Sequence, residues 1–237
     1  VMHIAILMSN TDESDFAQRH PRDGDKFRDL LHPLRPEWRI SVYSVKDGHF
    51  PTDPAGYDGF IITGSPASVH DLDPWIGQLF GLIRQIVAQG IPLYGACFGH
   101  QAIAMALGGR VERNPKGWVF GRIETLHSDP DGTPRPISLY AAHVEQVTAL
   151  PQGARVMGGN ADCPVGSFAI GGQVLTTQYH PEMTPDFMQA LVDEYAAKLP
   201  PDVAARARAS LSQVADTNTI RHWIVDFFES AQANRSG

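Results

Sequence analysis

The chain has 237 residues and a formal net charge of −7 at pH 7. Nucleic acids and anionic membranes attract positively charged surfaces, so this acidic balance argues against both as main partners. Hydrophobic residues make up 43% and charged residues 19% of the chain, which is typical of a soluble globular protein and argues against disorder. The chain has only two cysteines, and it shows neither a basic-then-apolar leader nor an apolar run of membrane length. These features predict a cytoplasmic protein.

The first half of the chain alternates the patterns of strands and helices. Residues 2–8 form a nearly continuous apolar run, which predicts a central strand buried on both faces of a parallel sheet. Further strands are predicted at 38–45, 59–63 and 91–94, and helices around residues 27–31, from 74 to about 87 and after 99. This alternation predicts a doubly wound α/β fold, with a mostly parallel sheet and helices on both faces.

Glycine, proline and short β-like runs dominate after residue 109 and predict a small antiparallel excursion. Its strands are expected at 118–126, 137–140, 155–157 and 167–170, before a last core strand at 174–179. Thr184 and Pro185 begin a predicted helix that runs to about residue 199. Weaker helical patterns follow at 203–214 and 220–230. We therefore expect an α/β domain over residues 1–199 and a helical extension over 200–237 that packs on the same domain.

The polar segment at residues 9–25 is long for a connection between a strand and a helix. Because it follows a central strand, it is expected to lie over the crevice where open α/β sheets bind ligands. Arg19 and Arg22 would then recognise the group that leaves the substrate. The alternative is a solvated surface loop with no role in binding.

Residues 91–109 contain the sequence's clearest chemical signal. A short apolar strand is followed by Gly-Ala-Cys-Phe-Gly at 95–99 and then by a helix-forming segment. The Gly-x-Cys-x-Gly pattern is the cysteine version of a nucleophile elbow, a strained turn that lifts one side chain above the sheet edge. Cys97 would lie at the N-terminus of the helix, where free N–H groups and the helix dipole favour a thiolate.

Other interpretations of Cys97 fit the pattern less well. A lone cysteine is more often a buried structural residue, but the flanking glycines and the strand-to-helix setting favour a nucleophile. A phosphatase cysteine needs an arginine six residues later to hold phosphate, and that position is Ile103. In another class of elbow-cysteine enzymes histidine typically follows the cysteine directly, whereas Phe98 stands there in this chain.

A cysteine nucleophile needs a histidine base and a third group that orients the histidine. His180 directly follows the predicted strand at 174–179, and Glu182 lies two residues further along. We therefore predict a triad of Cys97, His180 and Glu182. His100 is too close to Cys97 along the chain and is interpreted as a packing residue.

Three segments together resemble the signature segments of the class I glutamine amidotransferases, a family with a Cys-His-Glu triad. They are Gly-Ala-Cys-Phe-Gly-His-Gln at 95–101, His-Pro-Glu at 180–182 and Thr-Gly-Ser-Pro-Ala-Ser at 63–68. The resemblance covers about residues 2–199 and implies a flavodoxin-like α/β fold. Stand-alone members similar to plant γ-glutamyl peptidases, and to the glutaminase domain of GMP synthetase, often carry a comparable tail.

The resemblance also implies further site residues, and implies no metal or cofactor. It implies an oxyanion hole of backbone N–H groups from Phe98 and the Gly64-Ser65 turn, and a substrate pocket lined by Gln101, His143 and Val144. Ser65 stands where relatives usually have a second glycine, so either Gly64 or Ser65 supplies the second N–H. His143 and Val144 belong to Ala-His-Val-Glu-Gln-Val at 142–147, which resembles the family's Ser-His-x-Asp-x-Val segment.

The implied reaction is attack of the Cys97 thiolate on the δ-carbonyl of a γ-glutamyl group, in glutamine or a γ-glutamyl amide. The chain has no Gly-x-x-x-x-Gly-Lys-Ser/Thr phosphate-binding pattern and no room for a synthetase domain. We therefore expect either a separate synthetase or acceptor subunit that takes the ammonia, or a free-standing γ-glutamyl peptidase or hydrolase. A catalytically silent regulatory or binding subunit is the non-enzymatic alternative, against which the intact triad argues.

Overall fold

The first half of the chain forms alternating strands and helices in the computed structural model, which describes residues 1–129 and 132–236. In chain order these elements are β1 (His3–Met8), α1 (Asp15–Gln18), α2 (Asp23–Leu31), β2 (Arg39–Ser44), β3 (Gly59–Ile62), α3 (Pro74–Ala88), β4 (Leu93–Ala96) and α4 (Phe98–Ala106).

Strands dominate the second half before three helices end the chain. The strands are β5 (Arg110–Arg113), β6 (Val119–Ser128), β7 (Pro134–His143), β8 (Glu145–Ala149), β9 (Ala154–Gly159), β10 (Ser167–Ile170) and β11 (Val174–Thr177). The helices are α5 (Pro185–Tyr195), α6 (Pro201–Ser210) and α7 (Thr217–Ser236).

Within the described residues, nine strands form one mixed sheet in the order β2-β1-β3-β4-β11-β10-β9-β6-β7. The first five in this order pair in parallel, with the strand order 2-1-3-4-5 of flavodoxin-like folds. The other four continue the same sheet as antiparallel strands. The predicted α/β fold with an antiparallel excursion is confirmed. β5 and β8 form a second, two-stranded sheet that the sequence analysis did not predict.

Helices cover both faces of the parallel strands, and β1 shows why its sequence is apolar at nearly every position. Ile4 and Ile6 point to one face, where they join a core cluster with residues of α2 and α7. Ala5 and Leu7 point to the other face and join a cluster with residues of α3 and α4. A strand enclosed on both faces buries successive side chains alternately in two cores, so it has no polar face.

The segment at residues 9–25 differs from the predicted continuous loop. Ser14 caps α1, because its hydroxyl accepts a hydrogen bond from the Ala17 N–H at 3.2 Å. α2 begins already at Asp23, and Asp23 and Asp25 lie in its first turn, where the helix dipole favours negative charge. These polar residues therefore form helix starts as well as loop.

The last two helices pack against the α/β core. α6 lies against β6 and α5, and α7 lies against α2. Phe228 of α7 is fully buried, and its ring packs edge-on against Trp38 with the centroids 6.3 Å apart. The division into residues 1–199 and an extension over 200–237, of which residue 237 lies outside the described residues, stays a prediction. None of the described helices is both long enough and apolar enough to cross a bilayer.

Candidate active site

The turn between β4 and α4 holds Cys97 in a strained backbone conformation. Its φ is 53° and its ψ is −108°, and among residues 1–129 and 132–236 it is the only non-glycine residue with positive φ. Such a conformation costs on the order of 1–3 kcal/mol and persists only where the surroundings enforce it. Here the Cys97 N–H donates to the Thr177 carbonyl at 2.9 Å, and the Cys97 carbonyl accepts from the Gln101 N–H at 3.1 Å.

Close packing around this turn explains both glycines of the elbow pattern. A Cβ atom at Gly99 would collide with the carbonyl oxygen of Ile62, so α4 approaches the backbone at the end of β3 directly. A Cβ atom at Gly95 would lie 2.6 Å from the side chain of Ile103 in α4. The first turn of α4 therefore lies tightly against the sheet, with Cys97 at its N-terminal end.

The segment after β11 brings His180 and Glu182 to the same edge of the sheet. The His180 N–H donates to the Tyr140 carbonyl of β7 at 2.9 Å, which fixes the backbone at this point. The ring Nδ1 lies 3.0 and 3.3 Å from the two carboxylate oxygens of Glu182. Both side chains are buried, and the contact leaves the ring Nε2 free of Glu182.

Gly64, after β3, lies between Cys97 and His180. A Cβ atom at this position would lie 2.7 Å from Cε1 of His180 and 3.4 Å from Cβ of Cys97. Since the cysteine and the histidine both approach the same backbone atom, they are immediate neighbours. The structure therefore brings Cys97, His180 and Glu182 together, as the sequence analysis expects of a triad.

The charges around His180 favour its protonated form. Burial alone lowers the pKa of His180, but the negative charges of Glu182 and Cys97 outweigh burial and hold the pKa well above the usual value of 6.5. An imidazolium in this position can donate a proton to a departing amine.

A cavity of about 200 Å³ opens above these side chains. The nine residues predicted for the triad, the oxyanion hole and the glutamyl pocket all line it: Gly64, Ser65, Cys97, Phe98, Gln101, His143, Val144, His180 and Glu182. Residues separated by more than 100 positions in the chain thus share one concave site, which is where proteins usually bind small molecules.

Three backbone N–H groups at the cavity are available to a ligand. Within the described parts of the chain, the N–H groups of Gly64, Ser65 and Phe98 donate to no protein acceptor. The Ser65 hydroxyl instead holds its own loop, because it accepts from the Thr11 N–H at 3.4 Å and from the Ala67 N–H at 3.1 Å. This anchoring keeps the Gly64-Ser65 turn in place against the start of the 9–25 segment.

Gln178 is a neighbour of Cys97 that the sequence analysis missed. Its Nε2 lies 3.5 Å from the Cys97 sulfur, and its Oε1 accepts from Gln101 Nε2 at 3.1 Å. Gln101 Nε2 also donates to the Glu145 carbonyl at 2.8 Å. These two amides connect the cysteine to the backbone of the 142–147 segment. No sequence motif marks Gln178, and only its place after β11 could have suggested it.

Two other histidines near the elbow, His100 and His143, are buried. Burial lowers the pKa of His143 to about 4 and the pKa of His100 to about 3. His143 Nδ1 lies 3.0 Å from the Glu145 carbonyl, and His100 Nδ1 lies 2.6 Å from the Thr176 hydroxyl. These contacts fit wall and packing residues better than a catalytic base.

The 9–25 segment does lie over the site. Asn10, Asp12 and Phe16 line the cavity, together with Ala17, His20, Pro21, Arg22 and Asp23. Of the two arginines singled out from the sequence, Arg22 lines the cavity and Arg19 does not. Arg22 also lies 3.6 Å from Glu13 in an exposed ion pair. Lys26 of α2 also lines the cavity and was not singled out from the sequence.

Comparison with known proteins decides the family. Residues 37–202 match the family model described as Glutamine amidotransferase class-I, which covers well over half of the chain. The chain belongs to the class I glutamine amidotransferase family. Within the parts of the chain that the structure describes, no group of three or more His, Cys, Asp or Glu side chains is placed to hold a metal ion.

Relatives of this family member include peptidases and synthases. It is 30% identical to γ-glutamyl peptidase 3 of Arabidopsis thaliana, over 64% of this chain and 66% of the relative. It is 35% identical to the glutamine-hydrolysing GMP synthase of Thermus thermophilus, over 55% of this chain but only 26% of that longer protein. A glutamine amidotransferase structure from Thermotoga maritima superposes with a TM-score of 0.74 at 18% identity, covering 96% of this chain and 98% of the other, which shows the shared fold.

Replacing Gly64 with alanine tests whether the close contact at His180 matters for catalysis. The new Cβ would force the imidazole away from the cysteine, and displacements of about 1 Å in an active site can lower the rate about 100-fold. We expect kcat for glutamate release to fall at least that far in G64A. G81A is the matched control, because a Cβ at Gly81 meets nothing within 4 Å. A G64A enzyme as active as G81A would contradict the geometry.

Replacing Glu182 with glutamine tests the charge that holds His180 protonated. Glu182 raises the pKa of His180, so its loss should move the alkaline limb of the kcat/KM profile to lower pH. An opposite charge at this range shifts a pKa by about 1–3 units, which sets the size of the expected shift. E124Q, which neutralises an exposed carboxylate, should leave the limb in place. An unchanged or upward-shifted limb in E182Q would exclude this role for Glu182.

Proposed function

We propose that this chain hydrolyses the γ-glutamyl amide bond of small molecules through a glutamyl thioester on Cys97. The observation that carries the proposal is the contact of Cys97 and His180 on either side of Gly64, with Glu182 directly behind the histidine. Nucleophile, proton donor and orienting carboxylate are thus adjacent in one buried site, which is the arrangement that covalent amide hydrolysis requires.

In the first half of the reaction the Cys97 thiolate attacks the δ-carbonyl carbon and forms a carbon–sulfur bond. The position of Cys97 at the N-terminus of α4 favours a negatively charged sulfur. His180 gives a proton to the amide nitrogen, and the carbon–nitrogen bond breaks to release an amine. Glu182 orients the ring and stabilises its positive charge. Water, deprotonated by His180, then attacks the thioester and releases glutamate, which restores the thiolate.

The tetrahedral intermediates carry a negative oxygen that needs fixed donors. The free N–H group of Phe98 and those of Gly64 and Ser65 supply them, since no protein acceptor occupies these groups within the described residues. Donors that are held in place before the reaction stabilise developing charge without reorganisation, and each one contributes about 3–4 kcal/mol in well-studied hydrolases.

The glutamyl part of the substrate is expected at the side of the cavity lined by Gln101, His143 and Val144. Gln101 is held by the Glu145 carbonyl through its amide nitrogen, which leaves its amide oxygen to accept from a substrate ammonium. The wall at 142–147 belongs to the end of β7 and the start of β8, so its backbone is fixed by both sheets.

The amine released is either ammonia or a larger group. The peptidase relatives support hydrolysis of γ-glutamyl peptides, and the GMP synthase relatives support glutamine hydrolysis. For the second reaction, we propose a synthetase or acceptor partner that uses the ammonia, as the GMP synthase relative suggests. Small γ-glutamyl compounds are the substrates in both cases.

A substrate panel with an inactive variant tests the proposal. Glutamine, γ-glutamyl amines and γ-glutamyl dipeptides are assayed for release of glutamate by the wild type and by Cys97→Ala. We expect release from at least one class, and at least a 1,000-fold loss in C97A, because Cys97 is the only cysteine among the described residues that line the cavity. C163A is the matched control, since Cys163 lies outside the cavity. Equal turnover in C97A and wild type, or no turnover of any substrate by the wild type, would reject a hydrolase of this kind.

A further inference from the structure

The cavity continues past the triad on the side where the amine must leave. His180 gives its proton to the departing nitrogen, so the leaving group faces His180 and the residues around it. There the lining comes from α1, α2 and α5, and includes Phe16, Lys26 and Phe187. Ammonia would need only about 30 Å³, the volume of one water molecule, and so would not use this part of the cavity.

Lys26 is a buried cation with unused hydrogen-bonding capacity. Its side chain is 10% exposed, and Nζ lies 3.6 Å from a carboxylate oxygen of Asp23 and 3.2 Å from the centroid of the Phe187 ring. Within the described residues the Lys26 ammonium donates no hydrogen bond, although an ammonium carries three donors. Buried charged groups are normally hydrogen-bonded, so this ammonium is expected to have a partner that binds from the cavity.

An anion is the ligand that best matches the unused hydrogen-bond donors and the charge of the Lys26 ammonium. Asp23 only partly compensates the ammonium, because its other carboxylate oxygen accepts from Asn10 Nδ2 at 3.1 Å. Burial and the negative charge of Glu182 also raise the pKa of Asp23, which favours the neutral form of this carboxyl group and weakens its ion pair with Lys26. Arg22, the other cation of the lining, is exposed and paired with Glu13.

Aromatic side chains line the space next to Lys26. The rings of Phe16 and Phe187 have centroids 5.9 Å apart, and those of Trp118 and Phe120 are 6.4 Å apart. All four line the cavity, and Phe16 is almost fully buried. Such walls favour an apolar or aromatic group, because binding there removes a large apolar surface from water.

From these contacts we infer that the chain selects γ-glutamyl dipeptides with a free C-terminal carboxylate and an aromatic or large apolar second residue. Lys26 binds the carboxylate, and the wall formed by Phe16, Phe187, Trp118 and Phe120 receives the side chain. This inference rests on the proposed hydrolysis of γ-glutamyl amides. The bond between the δ-carbonyl and the second residue's nitrogen breaks, water supplies the oxygen and the protons, and the products are glutamate and the free amino acid.

Comparing a γ-glutamyl dipeptide with its C-terminal amide measures how much the free carboxylate contributes to kcat/KM. Glutamate release is measured with γ-glutamyl-phenylalanine, with γ-glutamyl-phenylalaninamide, with γ-glutamyl-glycine, with a γ-glutamyl diamine and with glutamine. In the wild type we expect kcat/KM for the acid to exceed that for the amide by tenfold or more, which is typical of a hydrogen bond to a charged group. The phenylalanine dipeptide should also exceed the glycine dipeptide by about tenfold, because a buried aromatic side chain contributes at least that much.

Lys26→Met then assigns the effect to this residue. Methionine keeps an unbranched apolar chain against Phe187 but removes the charge, so the ratio of acid to amide should fall to within about threefold of one. Lys26→Arg should keep a ratio well above one, and Lys116→Met, which changes an exposed lysine outside the cavity, should keep the wild-type ratio. Because the readout is a ratio within one enzyme, a general loss of activity in K26M does not affect it.

Each outcome decides between clear alternatives. A wild-type ratio of acid to amide near one, or an unchanged ratio in K26M, overturns the inference. Hydrolysis of glutamine in the same assays would still support the proposed function. Preference for a γ-glutamyl diamine over the dipeptide would show that Asp12 and Asp23 bind a cation instead, and also overturns it. No glutamate from any substrate overturns the proposed function itself. If K26M does not fold, Lys26→Gln, which also removes the charge, provides the same test of the ratio.

Discussion

The whole site depends on the tight approach of the first turn of α4 to the end of β3. Without a side chain at Gly99, the helix start lies against the Ile62 carbonyl, and the turn at this close approach holds Cys97 in its positive-φ conformation. The strain is tolerated because the turn is also tied to β11 through the Thr177 carbonyl. The sulfur is thereby held above the carboxyl edge of the sheet, at a helix N-terminus.

The register of three parallel strands then determines which residues can meet the sulfur. Gly95 of β4 lies beside Ile62 of β3, and Ala96 lies beside Thr177 of β11. Because parallel strands end at the same edge, the segments that follow them meet over Cys97. The segment after β3 provides the free N–H groups of Gly64 and Ser65, and the segment after β11 provides His180. The site is a direct consequence of sheet topology.

Local sequence patterns predicted much of this arrangement. The apolar runs gave the parallel strands, and the glycines of residues 95–99 identified the elbow, because strands and turns of this kind depend mainly on neighbouring residues. The position of His180 after a core strand, followed by Glu182, led to the proposed triad for the same reason. Residues 130 and 131, in the connection between β6 and β7, lie outside the described residues.

Features set by long-range contacts could not be predicted in the same way. Gln178 reaches the sulfur only because β11 pairs with β4, and nothing in its flanking residues marks it. The pairing of β5 with β8 joins segments more than 30 residues apart, and both strands are short with mixed polarity. Lys26 looks like a surface residue of an amphipathic helix until α5 covers it with Phe187. Its exposure depends on a contact between residues 161 positions apart.

Labelling with a glutamine analogue that carries a chloromethyl ketone in place of the carboxamide tests most directly whether Cys97 is the nucleophile. We expect complete inactivation with one label per chain, located on Cys97 by peptide mass mapping, and protection by glutamine. Cys163 should stay unlabelled, because burial raises its pKa to about 12 and keeps it a neutral thiol. Inactivation through Cys163 with Cys97 unmodified, or full activity after Cys97 is labelled, would contradict the assignment of Cys97 as the nucleophile.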